Sequence, residues 1–104
     1  MKINLEPLSV NTAWKGKRFK TDKYKQFERD MFLLLPKMEI PKDELSVTLI
    51  FGFSNKASDI DNPIKPTLDV LQKAYGFNDK DIYELQVIKQ IVKKGKEYIE
   101  FLIV

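Results

Sequence analysis

Asp59 and Asp61 stand two residues apart in Ser58-Asp59-Ile60-Asp61-Asn62-Pro63-Ile64-Lys65, directly before a helix start. Lys65 falls in the first turn of that helix, and Asn78-Asp79-Lys80-Asp81 follows its end. The chain has no histidine and no cysteine, which excludes thiolate nucleophiles, disulfides and zinc held by sulfur or imidazole. Oxygen donors beside a lysine suit a hard cation, Mg²⁺ or Mn²⁺, that handles phosphate. In an extended chain, residues two apart project to the same side. Asp59 and Asp61 can then reach one ion together while Ile60 faces the core. Capping of the helix start is the structural alternative for the same acids.

Lys65 calls for a reason of its own. A cation at a helix N-terminus opposes the macrodipole, typically by ~0.3–1 kcal/mol. Its Cβ tilts back towards the helix start, which brings the ammonium near the carboxylates. There it can neutralise the acids before a metal arrives, or offset charge developing on a reacting phosphate. An ordinary surface lysine is the alternative. Asp79 meets a limit of length. A helix from Pro63 to Tyr75 is ~18–20 Å long, and the residues from Gly76 to Asp79 retrace only ~10 Å even when extended. Asp79 therefore cannot join Asp61 within one chain. A two-fold dimer with antiparallel copies of the helix would place it beside Asp59 and Asp61 of the other chain.

The elements that must carry these residues follow from periodicity. Lys2 to Glu6 alternates and reads as a short strand ended by Pro7. Leu8 to Lys20 has no clean period and reads as an ordered or semi-ordered loop. Thr21 caps a helix running to about Leu35, with Tyr24, Phe27, Met31 and Leu34 as its buried stripe and Pro36 as its stop. Leu45 to Phe53 alternates as a strand with one apolar face. Asn62 is the expected cap of the second helix, Pro63 its first residue, Ile64, Leu68, Leu71 and Tyr75 its stripe, and Gly76 its left-handed end. Ile82 to Val92 and Glu97 to Val104 are β-rich, and Lys93-Lys94-Gly95-Lys96 reads as a hairpin turn between them. The expected fold is one α+β domain over residues 1–104, β-α-β-α-β-β, with a mixed sheet and a C-terminal hairpin.

The 104 residues allow a single core, and the net charge of +3 is unevenly spread. Lys15, Lys17, Arg18, Lys20, Lys23 and Lys25 crowd one stretch, and Lys89, Lys93, Lys94 and Lys96 another. Basic clusters around a carboxylate-rich middle suit a polyanion that is gripped and cut. A solvated basic face is the plain alternative. Trp14 and Phe19 among the cations offer stacking faces for nucleic acid, or pin the loop to the core. Asn11 can donate to phosphate or shape a turn. No apolar run approaches the ~20 residues of a membrane helix, and Met1 to Pro7 lacks the apolar core of a signal peptide, so a cytoplasmic location is expected.

Asp59-Ile60-Asp61-Asn62, Lys65, Gly76-Phe77 and Asn78-Asp79-Lys80-Asp81-Ile82 together resemble the RusA-type Holliday-junction resolvases. The likeness extends through the second half, including Val87-Ile88-Lys89, and weakly to Pro7-Leu8-Ser9-Val10-Asn11. It implies that Asp59, Asp61 and Asp79 are metal carboxylates and Lys65 a catalytic lysine. The paired acids of that pattern appear here as Asn78-Asp79, and Asp81 competes with Asp79 as the third ligand. The resemblance implies a homodimeric, Mg²⁺-dependent endodeoxyribonuclease of DNA recombination and repair that cuts four-way junctions symmetrically. Asn11, Lys15, Lys17, Arg18, Lys20 and Lys89 are the expected DNA contacts. A non-catalytic basic DNA-binding module is the rival reading. A phosphatase or nucleotide hydrolase using the same metal is a third.

Overall fold

The computed structural model describes residues 1–8, 14–15 and 19–104, with 14, 15 and 19 described by their backbone alone. The main sheet contains β1 (Lys2–Ile3), β4 (Leu45–Phe53), β5 (Ile82–Ile91) and β6 (Tyr98–Ile103) in the order β1-β6-β4-β5. β4 pairs parallel with β5 and antiparallel with β6, and β1 pairs antiparallel with β6, so the sheet is mixed. A separate ladder joins β2 (Trp14–Lys15) to β3 (Phe19–Lys20), antiparallel, within a stretch whose sequence predicts only a loop.

α1 (Asp22–Leu34) starts where its sequence predicts, with the Thr21 hydroxyl accepting from the Tyr24 amide at 3.2 Å. That bond satisfies one of the first-turn amides that no carbonyl can reach. Tyr24, Phe27 and Met31 are buried, but Leu34 is 50% exposed and is not part of the stripe. α2 (Ile64–Tyr75) follows β4 and ends at Gly76, whose φ of 69° is the left-handed closure expected there. Its core-facing residues are Pro66, Thr67, Val70 and Leu71. Ile64, Leu68 and Tyr75 flank this face and pack against its edges, so the predicted stripe is off-centre by part of a turn. Both helices pack on the face of the sheet formed by Val47, Leu49 and Phe51 of β4 with Ile99, Phe101 and Ile103 of β6. Alternation along β4 thus supplies five of the thirteen core residues, more than any other element among the described residues.

The C-terminal hairpin is overturned. The Lys93–Lys96 turn does form, with the Lys96 amide donating to Lys93 O at 2.9 Å and Gly95 at φ 90°. The strands it joins do not pair, because β4 lies between them. The connection crosses the end of β4, where the Val92 amide donates to Phe53 O at 2.7 Å. β4, α2 and β5 form a parallel unit, which turn chemistry alone cannot reveal. The first strand is also shorter than Lys2 to Glu6: pairing stops at Ile3, and the Leu5 amide turns back to Ile3 O at 2.9 Å.

Candidate metal and phosphate site

In a β-strand, helix, parallel-strand unit the loop beyond the first strand's C-terminal end is where ligands usually bind. Here that loop runs from Ser54 to Pro63 and carries both aspartates. It is shaped by its own short side chains. The Asn55 carboxamide accepts from the Ala57 amide at 2.8 Å, and Asn55 O accepts from the Ser58 amide at 3.1 Å. Asp61 O accepts from the Ile64 amide at 3.3 Å and closes the turn into α2.

Asp59 lines an open cleft of about 630 Å³ between this loop, α1 and the segment after β1. Glu6, Lys23, Gln26, Asp30, Ser58 and Asn62 supply its other polar groups, with Phe27, Phe53 and Leu8 among its apolar walls. Asn62 does not cap α2; its Nδ2 donates to Asp59 Oδ2 at 3.3 Å, and Pro63 occupies the cap position without a side-chain bond. The extended geometry expected for the acid pair is also corrected. The chain bends at Ile60 and Asp61, and Ile60 is 41% exposed and does not face the core. Asp61 is exposed and does not line the cleft.

Lys65 does not reach back to the aspartates. Its ammonium stands 3.8 Å from Asp69 Oδ1, one turn further along α2, with its side chain 64% exposed. Asp79 opens a 3-10 turn (Asp79–Asp81) past the far end of α2, its amide donating to Gln72 Oε1 at 2.9 Å. The 12-residue helix separates it from Asp61 by ~18 Å at 1.5 Å per residue. Asp81 is occupied as the capping acid of that turn, accepting from the Asn78 amide at 3.2 Å. Between the two rival third carboxylates, Asp79 is the one whose oxygens are not used locally among the described residues.

Among the described residues no three carboxylates come together closely enough to hold a metal ion. The donors have the right chemistry for Mg²⁺ or Mn²⁺, but one chain brings too few of them to one place. A closed site within a single subunit does not fit this arrangement.

The expected DNA contacts divide into three groups. Asn11, Lys17 and Arg18, and the side chain of Lys15, lie outside the described residues. Lys20 is paired with Glu28 at 3.0 Å and sits over the Tyr24 ring at 4.7 Å. Lys73 bonds the same carboxylate at 2.8 Å. Burial pushes the Glu28 carboxyl up, and the hydrogen bonds from Lys73 and Lys20 more than reverse this, leaving it below its ordinary value. Lys20 is therefore committed to a structural contact. Lys89 is half-buried and turned inward, donating to Lys56 O at 2.8 Å and to Ser58 O.

Sequence reasoning missed Glu6, Asp30 and Asp69. Glu6 and Asp30 line the same cleft as Asp59, and Asp69 draws Lys65 away. The i, i+4 spacing of Lys65 and Asp69 was the one available signal. No helix among the described residues is long and apolar enough to cross a membrane. No family model matches the chain, and no curated protein matches it.

Proposed function

We propose that the chain is the subunit of a homodimeric, Mg²⁺-dependent, structure-selective endodeoxyribonuclease that resolves four-way DNA junctions. The observation that carries this reading is the placement of Asp59-Ile60-Asp61-Asn62 in the loop between a parallel strand and its crossover helix, with Asp59 at a polar cleft. The opposite end of the same helix presents Asp79, so two antiparallel copies of α2 would form two composite sites roughly a helix length apart. Such spacing suits paired cuts on two strands of a branched substrate.

In the composite site Asp59 and Asp61 from one chain and Asp79 from its partner would hold the ion. When bound, the ion would supply Lewis acidity and an activated water for phosphodiester hydrolysis. The residues themselves have separable tasks. Asn62 holds Asp59 Oδ2 and limits how far that carboxylate rotates. Lys65, exposed and only weakly held by Asp69, would swing to the phosphate and offset charge that develops on it. Lys15, Lys17 and Arg18 and the lysines of the β5–β6 connection would grip flanking phosphates, which makes binding strongly salt-dependent.

The test is incubation of the purified protein with a synthetic four-way junction, with and without Mg²⁺. Paired nicks near the branch that need the ion are expected. Asp59→Asn, Asp61→Asn and Lys65→Ala should each lower the rate by at least about a hundredfold while junction binding survives. Binding indifferent to Mg²⁺ with no nicking would instead mark a non-catalytic DNA-binding module.

A further inference from the structure

Lys89 sits on β5 opposite Phe51 of β4, on the sheet face that carries the core. Its register position is apolar in the neighbouring strand, yet the residue is a lysine. The stem runs past the Phe53 ring, 5.9 Å from ammonium to centroid, and the head emerges beneath the loop that follows β4. There it donates to two main-chain carbonyls, Lys56 O at 2.8 Å and Ser58 O. Ser58 is the residue before Asp59, so the ammonium acts on the peptide link that leads into the acid. An ammonium has three donors and no acceptor, and a long apolar stem suits a path through a protein wall.

From this geometry we infer that Lys89 is a positioning residue, which fixes the acid-bearing loop from below and sets the direction of Asp59. As a biological role this rests on the nuclease reading above, although the loop contact itself does not. Three elements meet at this one head group: β5 through its backbone, the end of β4 through Phe53, and the loop through two carbonyls. Without the ammonium, both carbonyls lose a charged donor, and the loop is left with bonds between its own residues (at Asn55, at Asp61 and from Asn62 to Asp59) and the Ser54 hydroxyl bond to Glu97 at its start. Drawing the Lys89 head away from the loop to a flanking phosphate would break both bonds, which are charge-assisted and cost more to lose than an exposed ion pair.

The experiment compares Lys89→Met, which keeps the stem, and Lys89→Arg, which keeps the charge, with the unaltered protein. Amide exchange at Ala57 and Ser58, followed by NMR, should accelerate about tenfold in Lys89→Met and recover in Lys89→Arg. The Mg²⁺ concentration that half-shifts the Asp59 and Asp61 amides should rise about tenfold in Lys89→Met, while metal-free junction affinity stays within about twofold. Unchanged exchange in Lys89→Met, or weakened metal-free DNA binding with unchanged exchange, would overturn the inference. If the unaltered protein shows no Mg²⁺ response at all, the nuclease reading fails, and the exchange rates still decide the role of Lys89.

Discussion

The Tyr24 hydroxyl donates to Asp69 Oδ2 at 2.9 Å, and the other oxygen of that carboxylate stands 3.8 Å from the Lys65 ammonium. One buried phenol on α1 thereby holds the acid on α2 that competes with Asp59 and Asp61 for the lysine. The ion pair is exposed and weak, whereas the phenol is fully buried, so the acid is fixed and the lysine is free to leave. In the proposed nuclease reading, Lys65 would leave Asp69 for the substrate phosphate.

The phenol gives the alkaline limb of stability a defined source. Burial, then the hydrogen bond to Asp69, raises the Tyr24 hydroxyl well above its ordinary value of 10.0. The folded chain holds this proton more tightly than the unfolded one, so the stabilisation is complete below pH 10 or so and is lost as pH rises further. Urea unfolding at a series of pH values should show a decline above about pH 10. Tyr24→Phe should shrink that decline and cost about 1 kcal/mol at neutral pH, through the lost bond.

Glu28 contributes to the acid limb with the opposite sign. Its folded value is depressed below 4.5, so its contribution is present above that pH and fades as pH falls through the depressed value. Glu28→Gln should flatten the loss of stability on acidification. Lys20→Ala should lower stability by up to about 1 kcal/mol, discounted for the exposure of the pair, and change junction affinity little. A large affinity loss with unchanged stability would return Lys20 to the DNA-binding surface.

Gly52 is required by its neighbour across the sheet. It pairs with Tyr98 on one side and Gln90 on the other, and the Tyr98 hydroxyl reaches Gln90 Oε1 at 3.2 Å. The ring crosses directly over Gly52, and a Cβ there would overlap it. This aromatic bridge ties β6 to β5 over the strand that separates them. Gly52→Ala should destabilise by about 1–3 kcal/mol, and adding Tyr98→Leu should recover part of the loss.

These residues show why some of the fold was legible and some was not. Thr21, Pro36 and Gly76 act within a turn of chain, so α1's start and stop and α2's end can be read locally. The alternation from Leu45 to Phe53 is equally local, and every one of those odd positions is buried. The face of α2 moved because Pro66 and Thr67 pack inward, a preference set by the sheet beneath and not by side-chain apolarity. The Lys93–Lys96 turn misled because turn chemistry fixes a reversal of direction and not the partner strand. The strand-helix-strand order from β4 to β5 was the better guide, since a crossover helix normally returns to a parallel strand. In the site, the sequence order placed both aspartates in the loop between β4 and α2, but their two-residue spacing did not reveal the bend at Ile60 and Asp61 that leaves only Asp59 lining the cleft. The inward turn of Lys89 and the hold of Tyr24 on Asp69 depend on contacts over 31 and 45 residues of chain, which no short motif encodes; only the i, i+4 pairing of Asp69 with Lys65 is local.

Subunit mixing tests the composite site most directly. Asp59→Asn and Asp79→Asn chains, each inactive alone on a four-way junction with Mg²⁺, are combined and allowed to exchange. A dimer carrying one of each has both lesions in one site and an intact second site. Single-strand nicking should therefore return at about a quarter of the unaltered activity, since half the dimers are mixed and each has one working site. A mixture that stays inactive, while the unaltered protein cleaves, would contradict a site built from two chains.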